Sequence, residues 1–287
     1  MNKLLAFAGI FLLASSCATI KVASFNNQIG FPNEKNEPAK WPGRLPLVQK
    51  MLEEENFDIV GMQEPMWYQC KDMEKFLTDY AWVGCSVYGP MENGPYHYNP
   101  IFYRKDKFEL MEWGRFWFSD TPDEPGSMSW GNTTPRMCVW ARFKDKRNGG
   151  EFFHFNMHYD HKSKQSMENS SRLMLKKLEE IAGDRPAFFT GDYNSYDGSK
   201  AYLILAESGK LTDSHTIADR TENTDIASWN EYKPIRHTEK MENLDHLFVT
   251  PGIKVMSWRL VTTSYDGKYP SDHFPIVVKL RNYSSRR

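Results

Sequence analysis

Cysteine is scarce in this chain: four residues in 287, none in a CxxC spacing, so neither a zinc ribbon nor a dithiol redox centre can be built from them. An excess of one charge is also lacking. Lys and Arg number 36 against 37 Asp and Glu, a formal net charge of -1, and no overall positive field draws the protein toward a nucleic-acid backbone. A nucleic-acid substrate is therefore unadvertised, though not excluded. Beyond residue 14 no run approaches the roughly 20 apolar residues of a membrane-spanning helix. Repeats and low-complexity linkers are absent between residues 20 and 281, which argues for one domain over residues 19–281. With 40% hydrophobic and 14% aromatic residues, that domain has ample material for a core.

The N-terminus carries a separate message. Lys3 gives a positive start, Leu4 to Ala14 form an apolar run and small residues follow, the pattern of a secretory signal peptide over residues 1–18. Two readings of its end compete. Ala14-Ser15-Ser16-Cys17 resembles a bacterial lipoprotein box, which would tie Cys17 to a lipid anchor, whereas Ser16-Cys17-Ala18 fits cleavage after Ala18. A strand expected to begin near Ile20 leaves little tether and favours free secretion. The expected location is secreted, periplasmic or anchored to the outer membrane. Cys70, Cys85 and Cys138 then remain, each expected to be buried, with a Cys70 to Cys85 bridge open in an oxidising compartment.

Short runs rich in aromatic and β-branched residues predict strands at 21–26, 58–63, 81–88, 100–103, 107–118, 137–143, 152–158, 187–191, 246–249, 253–262 and 274–280. Helical spacing appears over 44–55, where Leu45, Val48, Met51 and Leu52 share a face, and over 166–181. Strands that come both in succession and separated by helices suggest two stacked sheets with helices packed outside. The long segments 117–135 and 213–237 read as functional loops. The tail 282–287 is polar and expected to fray.

The informative pattern is where polar residues fall. Asn26, Glu64, His158, and Asp192 with Asn194, each follow an apolar strand; Asp245 and the Asp272-His273 pair lie just ahead of one. Side chains so placed can converge on a common cleft. A hard cation such as Mg²⁺ or Mn²⁺ prefers oxygen ligands and keeps several waters, so Glu64 with support from Asn26 could hold it. A histidine exchanges protons with water near neutrality, and a carboxylate can fix its tautomer, which singles out Asp272-His273. Gly191 in Gly191-Asp192-Tyr193-Asn194 permits close approach to a ligand, although a plain turn uses the same residues. Taken singly, Asn26 could be a strand terminator and His158 a satisfied structural histidine.

Together these segments, in this order, resemble the successive motifs of the endonuclease/exonuclease/phosphatase superfamily with its deoxyribonuclease I-like fold, across residues 20–281. The resemblance implies an α/β four-layer sandwich, two mixed β-sheets flanked by helices, and phosphoester hydrolysis by water with a divalent metal. It implies that Asn26, Glu64 and Asp272 lie at the metal, that Asp245 orients His273, and that Asp192 orients the attacking water or the leaving group. It also implies that Asn194 donates to phosphate oxygens and that His158 stabilises charge or protonates the leaving oxygen, with His161 in support. Arg172 belongs to the same His158-Tyr159-Asp160-His161…Arg172 arrangement.

Two departures from the family pattern stand out. His97, Tyr98 and Asn99 stand where some members carry a carboxylate partner for the His158 position, and Gln28 stands where some carry Asp near the metal. Basic residues 142–147 and 162–177 alternate with acidic ones, as solvated faces do, and Trp117, Trp130 and Trp229 could stack on sugar rings or bases or fill the core. The favoured substrate is a small phosphorylated metabolite or sugar phosphate. Extracellular DNA or RNA is the alternative, and a non-catalytic secreted binding module the second. Oligomeric state is not legible.

Overall fold

The computed structural model describes residues 18–90, 96–238 and 243–285; the signal-peptide and lipoprotein-box readings at residues 1–17 lie outside them. The strands are β1 (Thr19–Asn26), β2 (Ile59–Gln63), β3 (Tyr80–Val83), β4 (Ile101–Arg104), β5 (Phe108–Trp117), β6 (Met137–Asp145), β7 (Glu151–His158), β8 (Ala187–Asp192), β9 (Thr212–Asp213), β10 (Thr221–Glu222), β11 (Asp245–Val249), β12 (Lys254–Leu260) and β13 (Ile276–Arg281). The α-helices are α1 (Trp41–Glu55), α2 (Trp67–Glu74), α3 (Lys164–Ile181), α4 (Lys200–Ala206) and α5 (Ser214–Ile217).

The strands form a seven-stranded sheet, β10-β12-β13-β1-β2-β4-β3, and a six-stranded sheet, β5-β6-β7-β8-β11-β9. Both are mixed, since β1/β2, β10/β12 and β7/β8 are parallel and the other pairs antiparallel. Side chains alternate across each strand, and this sorts the core into layers. Val22, Phe152, Phe188 and Val278 meet between the sheets. Their neighbours Ala23 and Val277 face Val48, Met51 and Met73 of α1 and α2, while Phe153 and Phe189 face Met174, Leu178 and Leu205 of α3 and α4. The result is the expected helix–sheet–sheet–helix sandwich.

Helix ends follow local chemistry. Asn56 takes the left-handed conformation that closes α1, and the Ser163 hydroxyl accepts from the Ser166 amide to start α3. Helix α2 escapes the helical pattern because it is short. Its start is held by Gln69, whose Oε1 accepts from the amides of Met66 and Gly30.

Several expectations need correction. The strand expected over 81–88 ends at Val83, because Gly84 sits at φ +150, where a Cβ would lie 2.9 Å from Pro100 Cα. The tail is not frayed over its described part: Tyr283 is buried and Ser285 bridges to Glu151. Cys70, Cys85 and Cys138 are buried and free, so the 70–85 bridge is absent. Trp117 fills the core, whereas Trp229 stays exposed.

Candidate active site

Parallel pairing of β1 with β2 and of β7 with β8, and antiparallel pairing of β11 with β8, align the strand termini that carry the chemistry. In the first sheet Asn26 stands beside Gln63, one residue before Glu64; in the second, His158 and Asp245 both stand beside Asp192. Asp245 is the first residue of β11 rather than a residue ahead of it. A buried network fastens the two sheets just beneath this edge. Asn156 of β7 donates from Nδ2 to the carbonyls of Met62 and Pro100, and its Oδ1 accepts from Gln63 and Thr190. Gly61 is obligatory here, since a Cβ would lie 2.0 Å from Thr190 Oγ1. The sequence reading missed Asn156, because a polar residue inside an aromatic run carries no periodic signal.

Asp192 is the point of convergence. Asn26 Nδ2 donates to its Oδ2 at 3.0 Å, and the Nε2 atoms of His158 and His273 lie 3.5 and 4.0 Å from the same oxygen. Its Oδ1 accepts from the amide of Asn194. Burial, with the nearby Asp245 carboxylate, pushes the Asp192 pKa up to about 7. His273 Nδ1 lies 2.7 Å from Asp245 Oδ2, the pairing implied for these two residues. Burial works against the imidazolium, but Asp245, Asp272 and Asp192 outweigh it and hold the His273 pKa well above its usual value.

Glu64 stands at φ +76, a strained conformation for a residue with a Cβ, and such strain clusters at functional sites. Its Oε2 accepts from the Ile29 amide at 2.9 Å, while Oε1 lies 3.9 Å from His158 Nε2. Asp272 accepts from the Ser271 hydroxyl through Oδ1 and lines the same cleft as Glu64. Asn26 is buried, its Oδ1 accepting from the Gln28 amide while its Nδ2 braces Asp192. Gln28 accepts from the Tyr232 hydroxyl.

The largest surprise is Arg136, 5% exposed and one residue beyond the segment read as a loop. Its Nη1 lies 3.1 Å from Nδ1 and 3.0 Å from Nε2 of His158, and its Nη2 lies 2.9 Å from His161 Nδ1. A neutral imidazole has one acceptor nitrogen, so Arg136 donates to one of the two and the other keeps its own N–H. The nearest carboxylate, Asp160, stands 3.9 Å away, and the Arg136 Nε has no partner. Burial, reinforced by Arg136 and by His97, depresses the His158 pKa well below its usual value, so this ring is neutral. His97 packs 5.9 Å from His158, centroid to centroid, and supplies no carboxylate. His161 supports Arg136. Arg172 is surface-exposed on α3 and pairs with Glu168 and Asn169, away from the cleft. Asn194, at φ +47, donates from Nδ2 to the Tyr159 carbonyl.

The cleft has a volume of ≈ 470 Å³ and is lined by Glu64, Arg136, His158, Asp192, Asp272 and His273 among others. Its oxygen donors suit a hard divalent cation. Among the described residues the compact acid–histidine group here is Asp192, Asp245 and His273, but His273 Nδ1 and Asp245 already bond each other. Glu64 Oε1 and Asp272, whose carboxylates face the cleft with few protein partners, fit a cation better.

Comparison with known proteins agrees with this geometry. The family model for the Endonuclease/Exonuclease/phosphatase family matches residues 22–273. An endonuclease/exonuclease/phosphatase family protein of Bacteroides thetaiotaomicron is similar at 34% identity, covering 92% of this chain and 98% of its own, with a TM-score of 0.85. A mannosyl-6-phosphatase of the same organism shares 34% identity over 91% of this chain and 99% of its own, with a TM-score of 0.84. An uncharacterized protein of Acanthamoeba polyphaga mimivirus is 29% identical over 90% of this chain and 99% of its own length. Sheet order, strand-end geometry and these matches lead to one assignment: the chain belongs to the endonuclease/exonuclease/phosphatase family.

Proposed function

We propose that this protein is a secreted, metal-dependent hydrolase of small phosphoesters, with a sugar phosphate as substrate. The observation that carries the chemistry is the convergence of Asn26, His158 and His273 on Asp192, with His273 backed by Asp245. Similarity to a mannosyl-6-phosphatase over nearly the whole chain supports the substrate class. A nuclease would need a cationic track for a phosphate backbone. Several of the candidate basic residues are instead paired, Arg142 with Glu112 and Glu151, Arg147 with Asp145, and Lys177 with Glu180.

In this reading Glu64 and Asp272 hold the cation, Mg²⁺ or Mn²⁺, which neutralises charge on a phosphate oxygen when bound. Asp192 positions a water and takes its proton; Asp245 holds the His273 ring protonated with Nε2–H facing the cleft, where it donates to a phosphoryl oxygen. Arg136 and the neutral His158 donate to the phosphoryl oxygens as charge develops, and Asn194 holds the Asp192 turn and adds a donor. A purely binding module would not call for this combination of acids, paired histidine and buried guanidinium. The signal-peptide pattern supports export. The test is release of inorganic phosphate from mannose 6-phosphate and glucose 6-phosphate, beside strand cleavage of plasmid DNA and RNA read on gels, with Mg²⁺ or Mn²⁺ and with chelator. Chelator-sensitive turnover of a sugar phosphate above the nucleic acids is expected; cleavage of DNA or RNA alone overturns the substrate class.

A further inference from the structure

Trp229 is 42% exposed, yet its backbone is among the most firmly held near the cleft. It bridges to His273; the Phe274 amide donates to the Ser228 carbonyl at 2.7 Å, and the Asn230 amide donates to the Asp272 carbonyl at 2.7 Å. The buried Ser228 hydroxyl accepts from the amides of Leu244 and Asp245. The segment is thus bonded to both members of the Asp245–His273 pair. A large aromatic ring carried outward on such rigid backbone loses little entropy on binding a ligand.

Trp229 and Tyr196, the latter 47% exposed, line two cavities at once: the cleft described above and a groove of ≈ 220 Å³ that continues from it past Pro234, Ile235 and Arg236. Arg236 has no hydrogen-bond or ion-pair partner among the described residues. Glu64 and Arg136 line the same cleft as Trp229 and Tyr196, so a phosphate held there lies in the cavity that adjoins the groove. The groove is smaller than the ~300–1,000 Å³ of pockets for drug-sized ligands, which suits one ring rather than a dinucleotide. Aromatic rings and a cationic donor in one groove match a ring that has an apolar C–H face and hydroxyls around its rim.

We propose that this groove is the leaving-group subsite and that it takes a single sugar ring, packed on Trp229 with Tyr196 at its side and Arg236 donating to its hydroxyls. The proposal rests on the phosphoester reading above. The subsite sets selectivity among substrates by grasping the part of the molecule that leaves.

Two measurements test it on the full chain. In the first, kcat/KM is compared for mannose 6-phosphate and methyl phosphate, which has no ring. The ratio is expected to fall about tenfold in Trp229→Ala, through KM, and to recover in Trp229→Phe, with melting temperature confirming the fold of each. In the second, saturation-transfer NMR follows methyl α-mannoside, which needs no hydrolysis; its signal is expected in the wild type and Trp229→Phe and absent in Trp229→Ala. An unchanged ratio, or an equal fall on both substrates, overturns the subsite, as does a mannoside signal that is absent from the wild type. Should no phosphoester be turned over, the phosphoester reading fails, and the mannoside signal still decides the groove.

Discussion

His273 Nδ1 lies 2.7 Å from Asp245 Oδ2, both side chains are buried, and 28 positions of chain separate them. The pair forms because β11 begins beside Asp192 and the segment ahead of β13 is bonded to the loop that covers it. A carboxylate in this position fixes which ring nitrogen faces the cleft. Asp245→Asn preserves the shape and loses that control, so kcat is expected to fall on the order of 10³-fold while the melting temperature moves little. Steady-state kinetics beside a thermal melt provide the check.

Glu64 supplies a strained carboxylate with one oxygen tied to the Ile29 amide and the other open to the cleft. Glu64→Gln keeps the tie and removes the charge. Activity at saturating Mg²⁺ is expected to fall by on the order of 10²-fold or more, with a higher metal concentration at half-activation. A metal titration of activity in wild type and variant reads both quantities.

Arg136 is buried and lines the cleft, with the Asp160 carboxylate no nearer than 3.9 Å, an arrangement that favours an anion in front of it. Arg136→Lys retains charge without the planar fork, and Arg136→Ala removes both. Competitive inhibition by inorganic phosphate is expected to weaken roughly tenfold in the lysine variant and further in the alanine variant. Inhibition constants equal to wild type in both would remove Arg136 from phosphate binding.

A second buried cluster controls the loop that bears Asp192 and Asn194. His246 approaches Asp213 at 3.2 Å through Nδ1 and the Ser195 carbonyl at 2.9 Å through Nε2. Burial opposes its charge, but Asp213 and Asp197 with that carbonyl raise its pKa to about 9. A histidine whose folded pKa exceeds the unfolded value of ~6.5 contributes stability that is fully present below pH ~6.5 and is lost as the pH rises through 9. The melting temperature is expected to decline across that window, and the His246→Gln variant, less stable below it, to show a flatter profile. Differential scanning calorimetry from pH 6 to 9.5 makes the comparison.

Much of this was legible in the sequence because strand ends are written locally. The apolar runs before Asn26, Glu64, His158 and Asp192 mark both the sheets and the edge where function gathers. What was not legible depends on long-range packing. Arg136 looks like loop sequence until β6 and β7 bring it onto His158, and Asn156 becomes a link only when the second sheet meets Gln63. Asn26, expected at a metal, also braces Asp192 through its Nδ2, a long-range bond that the strand pattern does not announce. Arg172 matched a motif and points to solvent instead, because α3 turns that face outward.

The central claim is that water attacks phosphorus in the cleft lined by Glu64, Asp192 and His273. Hydrolysis of methyl α-mannoside 6-phosphate, whose anomeric oxygen does not exchange with solvent, in ¹⁸O-water, read by mass spectrometry of both products, tests it most directly. One ¹⁸O atom in the released phosphate and none in the mannoside is expected from wild type with Mg²⁺, with the label lost in Glu64→Gln. Label in the sugar, or labelled phosphate formed equally fast by that variant, would contradict it.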